Sequence, residues 1–236
     1  MGETIHTIRH IAVIVAAGRG LRMQSEKPKV WLDLAGRPVL AHAVDAFKEC
    51  PWIDAVIVVT SEDYLEDVRK LGGDIIAVPG GRERADSVCA GLAAAQEWLG
   101  NGGQAYVYIH DGARPLISRE VLDRVREGVM AAGACVCGMP VKDTTRMVSG
   151  DHLAEILQRD CLRAIQTPQA FDLAEITEAY ERCLRGDAGL KETATDDAMI
   201  YEAATGRRVL IVEGSYANIK LTTPEDMIIA EALMER

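Results

Sequence analysis

Residues 14 to 31 read IVAAGRGLRMQSEKPKVW, an apolar run that passes into glycines and then into a cluster of cations, Arg19, Arg22, Lys27 and Lys29, opposed there only by Glu26. Gly18 and Gly20 have no side chain to keep phosphate oxygens away from backbone N–H groups, and Arg22 and Lys29 supply full positive charge. The spacing is neither of the two common phosphate loops. A Walker loop needs Gly-Lys followed by Ser or Thr, and a dinucleotide turn needs a third glycine where Met23 stands. A plain glycine turn with solvated cations accounts for the same residues, so the rest of the chain has to decide.

Further candidates follow other apolar runs. In PGGRERADSV, residues 79 to 88, a strand leads into a helix amino terminus whose free N–H groups suit an anion or a base carbonyl. Capping of that helix by Asp86 or Ser87 is the simpler account. In IHDGARP, residues 109 to 115, Asp111 ends a strand and suits a magnesium ion's water shell or a ribose hydroxyl. An Asp-Gly turn held by a salt bridge to Arg114 fits equally, and His110 reads as structural. In ANIKLTTPED, alternation places Asn218, Lys220 and Thr222 on one face and Ile219 and Leu221 on the other, with Lys220 either solvated or meeting a phosphate.

The elements that must position these residues alternate. Apolar runs at 11–17, 54–60, 75–78, 105–110, 134–141 and 209–213 predict strands, and amphipathic runs at 38–50, 83–99 and 118–132 predict helices. Two later helices have start signals, Asp172 with Glu175 and Thr223 with Pro224. The pattern indicates parallel βαβ units and hence a three-layer α/β sheet, in which ligands bind beyond the carboxyl ends of the strands. Residues 143–167 interrupt it as strand, Ser149-Gly150-Asp151 turn and strand, which predicts a projecting arm on a single domain spanning 1–236.

The net charge of −10 argues against a nucleic-acid surface and makes the cations around residue 22 a local exception suited to a small anion. No apolar run approaches the ~18 residues of a membrane span, and no secretory signal is evident, which predicts a soluble, cytoplasmic protein. The six cysteines lie mostly in apolar segments without Cys-x-x-Cys or zinc spacing.

The residues resemble the 2-C-methyl-D-erythritol 4-phosphate cytidylyltransferases of the non-mevalonate isoprenoid pathway. The resemblance runs in order through AAGRGLRM, KPK, GGRERADSV, HDGARP, PVKDT, QTPQAF, TDDA and NIKLTTPEDM. It implies a Rossmann-like nucleotidyltransferase fold, a homodimer clasped through the arms, CTP with Mg²⁺, and release of pyrophosphate. By that resemblance Ala16, Ala17, Gly18 and Gly20 line the CTP, and Arg22 and Lys29 bind its triphosphate. Gly81 and Ser87 resemble the cytosine reader, Asp111 and Gly112 the ribose and metal side, and Lys220 the group approaching the α-phosphate. Thr144, Arg159, Thr167 and Thr195 resemble the acceptor-phosphate site, with Thr144 and Arg159 delivered by the neighbouring subunit's arm. Val30, Trp31 and Arg82 depart from the residues common in that family. Two other readings remain at this point. One is a cytidylyltransferase for ribitol 5-phosphate, which shares the loop and scaffold. The other is a noncatalytic nucleotide-binding regulator, which does not require Arg22, Lys29 and Lys220 together.

Overall fold

In the computed structural model, residues 8–18, 27–100, 103–186 and 194–235 are described, with the side chains of 184–186 excepted. Gly20 and Arg22, both expected at the triphosphate, lie outside these residues, as does Arg19.

The chain begins with β1 (Arg9–Val15), a two-residue hairpin of β2 (Asp33–Leu34) and β3 (Arg37–Pro38), and α1 (Val39–Lys48). There follow β4 (Ala55–Thr60), α2 (Leu65–Lys70), β5 (Ile75–Pro79), α3 (Arg84–Leu99), β6 (Ala105–Asp111), α4 (Arg119–Ala132) and β7 (Ala134–Pro140). Strands β8 (Arg146–Ser149) and β9 (His152–Ile156) pair only with each other. The chain then re-enters the main sheet through β10 (Arg163–Asp172) and continues into α5 (Leu173–Gly186), α6 (Asp197–Thr205), β11 (Leu210–Glu213) and α7 (Pro224–Met234).

Seven strands form the sheet in the order β11-β7-β10-β6-β1-β4-β5. All run parallel except β10, which is antiparallel to both of its neighbours. Strands β1, β4, β6 and β7 are buried on both faces almost throughout, which is why they read as continuous apolar runs. Along β1, Ala12 and Ile14 pack with α1 and α4, while Ile11 and Val13 pack with α3, α5 and α6. Chain order reverses at β1: β4 and β5 lie to one side of it and β6 to the other. The crevice beyond the carboxyl ends of β1 and β6 is therefore the topological switch point where open α/β sheets bind ligands.

The six expected strands and three expected helices are present within two residues of their sequence boundaries. Both start signals also hold. The Asp172 carboxylate accepts from the N–H groups of Ala174 and Glu175, and Thr223 with Asp226 closes a capping box ahead of Pro224. The hairpin at 146–156 turns at Gly150, whose φ of +57° suits a residue without Cβ. The tail of the expected arm, however, from Arg163 onward, belongs to β10 and pairs with β7. A second correction concerns residues 217–222. They form no sheet strand, Asn218 is fully buried and Lys220 is not, so the face shared by 218, 220 and 222 does not exist. The segment is held instead by single bonds, from Leu221 N–H to the Ala113 carbonyl and from Arg114 Nη1 to the Asn218 carbonyl.

One close approach sets the layer spacing. A Cβ at Gly91 of α3 would stand 2.4 Å from a Val13 methyl and 3.0 Å from one of Val59. Overpacking of this kind costs about 1–3 kcal/mol, and the better helix propensity of a side chain returns at most ~1 kcal/mol. Gly91→Val should therefore lower the melting temperature by roughly 3–8 °C for a chain of this size, as read by thermal denaturation.

Candidate active site

The pocket beyond β1 and β6 is built from loops that tie the strand ends together. Ala16 N–H donates to the Val59 carbonyl at 2.7 Å, Gly80 N–H to the Thr60 carbonyl at 2.7 Å and Gly112 N–H to the Val15 carbonyl at 2.9 Å. These bonds bring Ala16, Ala17, Gly18, Lys29, Gly81, Ser87, Asp111 and Lys220 around one cavity, whose wall also includes Arg82 and Arg84. Gly112 stands just behind it, where a Cβ would meet Leu40 at 3.0 Å and Ala16 at 3.2 Å.

Lys29 opens a single 3₁₀ turn, Lys29–Trp31. Val30 buries its side chain in the core, and the Trp31 ring stacks on Tyr64 at 5.1 Å. These two side chains thus anchor the turn that carries the lysine. At the opposite wall, α3 is capped by a box between Glu83 and Asp86, so the simpler account holds for Asp86. Ser87 is different. Its Oγ accepts from Gly81 N–H and donates to the Glu83 carbonyl, both at 3.2 Å, pinning the glycine turn.

Asp111 is the electrostatic centre. Its Oδ2 lies 2.7 Å from Lys220 Nζ and 3.9 Å from Arg114 Nε, and its Oδ1 lies 3.6 Å from Arg84 Nε. Burial alone would raise its proton affinity, but Arg84, Lys220 and Arg114 together hold the carboxyl far below the usual range, so it stays ionised. The Arg114 contact agrees with the turn reading of these residues. Arg84 turns its two terminal nitrogens to Asp197, at 2.7 and 2.8 Å, and Asp197 is completely buried. Sequence reasoning did not single out Arg84. Its only signal was a place on the first turn of a helix beside a glycine pair.

Behind Asp111 a chain of hydrogen bonds runs through Thr167 and His110. The Asp111 N–H donates to Thr167 Oγ1 at 3.0 Å, the Thr167 hydroxyl donates to His110 Nδ1 at 3.1 Å, and His110 Nε2–H donates to the Arg114 carbonyl at 3.0 Å. A carbonyl can only accept, which fixes this tautomer. Thr167, expected on an acceptor phosphate, is buried on β10 with its hydroxyl engaged in this relay. The other acceptor candidates lie elsewhere. Thr144 and Arg159 line a separate pocket at the base of the β8–β9 hairpin. Thr195 precedes α6, where its Oγ1 meets Met199 Sδ at 3.2 Å.

Among the described residues no three His, Cys, Asp or Glu side chains converge as a metal cage. A single ionised carboxylate facing a cation-lined cavity instead fits Mg²⁺ carried in on phosphates, since that ion commonly takes only one or two protein carboxylates. Among the same residues no helix is long and apolar enough to cross a membrane.

A family model described as IspD, 2-C-methyl-D-erythritol 4-phosphate cytidylyltransferase, matches residues 10–236. The protein of that name from Lachnospira eligens is 41% identical over 226 residues, covering 93% of this chain and 96% of its own. Its counterpart from Bacillus velezensis is 40% identical, with 97% of each covered. In three dimensions the 4-diphosphocytidyl-2C-methyl-D-erythritol synthase of Anaerococcus prevotii matches with a TM-score of 0.83 at 32% identity over 97% of both chains. The cytidylyltransferase of Thermus thermophilus matches with a TM-score of 0.77 at 31% identity, over 95% of this chain and 98% of the other.

The buried relay makes stability depend on pH. Burial, outweighing the bond to the Arg114 carbonyl and the nearby Asp111 charge, pushes the His110 pKa down to about 4. An unfolded chain binds that proton near pH 6.5, so the stabilisation is complete above ~6.5 and about 3 kcal/mol of it is lost as pH falls to ~4. His10, lowered chiefly by burial, adds to the same slope. Thermal melts between pH 7.5 and 4.5 should show a falling midpoint for the native chain and a shallower decline for His110→Gln.

Proposed function

The chain belongs to the 2-C-methyl-D-erythritol 4-phosphate cytidylyltransferase family, and from that premise we propose how its own residues carry CMP from CTP to 2-C-methyl-D-erythritol 4-phosphate. The observation that supports the assignment of roles is the convergence of the Gly18 loop, Lys29, Asp111 and Lys220 on one cavity at the switch point of the sheet. The glycine loop and Gly81 receive the nucleotide through backbone groups. Lys29 and Lys220, together with Arg22, take the triphosphate, and Asp111 with Gly112 takes the ribose side. Ser87 keeps Gly81 in position for the base.

An oxygen of the acceptor phosphate attacks the α-phosphorus in line, and the bond to pyrophosphate breaks. The attacking oxygen is already ionised, so no general base is required. Negative charge grows on the nonbridging oxygens and the departing pyrophosphate. Cations fixed in place stabilise that growth more than they stabilise the bound substrate. Mg²⁺, held at Asp111, would supply neutralising charge to the phosphate chain. Thr144, Arg159 and Thr195 hold the acceptor phosphate in this reading, with the first two arriving from a second copy's arm, while Thr167 fixes Asp111 from behind.

A homodimer has independent support. Val148 and Leu153 face each other across β8 and β9 and are 67% and 68% exposed, and Ile156 nearby is 72% exposed. An apolar hairpin surface of this kind is what an interface between copies would cover. The six free cysteines agree with a reducing, cytoplasmic setting.

Pyrophosphate release tests the reading. CTP with 2-C-methyl-D-erythritol 4-phosphate should turn over, and Lys29→Ala should lower kcat by ~10² or more, as for other preorganised electrostatic contacts. A strong preference for ribitol 5-phosphate in the same assay would reject the acceptor assigned here. A second variant separates binding from folding. A Cβ at Gly18 meets nothing within 4 Å, so Gly18→Val should leave the melting temperature nearly unchanged. By intruding on the space assigned to the nucleotide, it should weaken CTP binding at least ~10-fold, about 1.4 kcal/mol, as measured by calorimetry.

A further inference from the structure

Arg84 stands at the boundary between two cavities. Its guanidinium lines the pocket at the mouth of β1 and β6, and it also lines a second pocket formed with Tyr180, Ala194 and Asp196 beside α6. The terminal nitrogens grip Asp197 in a two-point fork, and the remaining nitrogen, Nε, lies within ion-pair reach of Asp111 at 3.6 Å. A single planar cation thus touches the carboxylate of the nucleotide side and the first residue of α6.

The α6 end of this bridge is built rigidly. Gln169 Oε1 accepts from the N–H groups of Asp197 at 3.0 Å and Ala198 at 2.9 Å, and the Tyr180 hydroxyl donates to Asp197. Thr195, assigned above to the acceptor phosphate, is two residues before Asp197. A guanidinium holds its donors in one plane, so moving either carboxylate alters the hold on the other. A staple between α3 and α6 would need only the fork to Asp197. The Nε that helps keep Asp111 ionised ties the same guanidinium to the nucleotide side as well.

We propose that Arg84 is a positioning residue that couples the nucleotide and acceptor subsites, transmitting the placement of Asp111 to the segment carrying Thr195 and the reverse. This inference rests on the functional reading above. Filling one subsite fixes the guanidinium and makes the other easier to fill, a reciprocal effect that commonly amounts to about 5- to 150-fold in affinity. Arg84→Gln removes both the charge and the fork. Arg84→Lys keeps the charge but loses the fork.

The test is calorimetric binding of α,β-methylene CTP, whose bridging carbon prevents transfer, with and without saturating 2-C-methyl-D-erythritol 4-phosphate. In the native protein the acceptor should tighten nucleotide binding several-fold. In Arg84→Gln that ratio should fall to about 1 and kcat should drop at least ~10-fold, with Arg84→Lys intermediate in both. Thermal melts confirm that the measured variants are folded, and Arg84→Lys carries the test if Arg84→Gln is not. Absence of coupling in the native protein, or an unchanged ratio in a folded Arg84 variant, overturns the proposal. Pyrophosphate release by the native protein is measured first. Its absence would reject the functional reading and this inference together, whereas turnover with unaltered coupling in the variants rejects only the role of Arg84.

Discussion

A carboxylate withdrawn from water at the end of β6 is tolerated only because cations are fixed around it, and most of the site's architecture serves that arrangement. Burial acting alone would raise the proton affinity of Asp111, and Arg84, Lys220 and Arg114 reverse that direction. Each cation is tethered in turn. Arg84 is gripped by Asp197, Arg114 donates to the Asn218 carbonyl, and Lys220 precedes Leu221, whose N–H bonds to Ala113. Lys220 and Arg114, held in this way, need little reorganisation when a phosphate chain arrives, which is the condition under which electrostatic stabilisation is most effective.

The sheet supplies the tethers. Reversal of strand order at β1 opens the crevice, and the parallel direction of β1, β4, β5 and β6 brings four carboxyl ends to the same edge. Residues far apart in the chain become neighbours there. Gly18, Ser87, Asp111 and Lys220 come from four different segments, a loop after β1, helix α3, the end of β6 and the stretch before α7, and none of these contains the whole site. The core beneath has no such spread of duties. Apolar residues on β1 simply alternate between the two helical layers.

Much of this was readable in the residues. Parallel strands buried on both faces produce uninterrupted apolar runs, and helices between them keep a clear apolar side, so β1, β4 to β7 and α1, α3 and α4 announce themselves. The glycines and cations after β1 and the carboxylate ending β6 were equally visible. Strand β10 was not. Gln166, Thr167, Pro168 and Gln169 look unlike the centre of a sheet, because Pro cannot donate to a ladder and buried amides need partners. The partners come from distant segments: Gln166 donates to the Ser215 carbonyl and Gln169 accepts from α6. The pairing also shifts register between Ile165 and Gln169, around the proline. The role of Arg84 was hidden for a related reason, since its partners are 27 and 113 positions away in the chain. Alternation misled at 217–222, where isolated tertiary bonds and not a sheet ladder determine which side chains are buried.

Strand β10 also acts as a ruler. It leaves the base of the hairpin at Arg163 and ends, as the last of its ten residues, at Asp172, which caps the next helix, a reach of at most about 30 Å at the usual rise of an extended chain. No slack loop interrupts it. The outlying hairpin and the polar relay behind Asp111 are therefore joined by one strand, irregular only around Pro168. Loss or gain of a single residue within that strand would rotate its remaining side chains to the opposite face, exchanging Thr167 for a neighbour at the relay and retracting the hairpin by one residue's length. Length along this segment is thus a quantity that natural variation has to conserve even where the identity of individual side chains drifts.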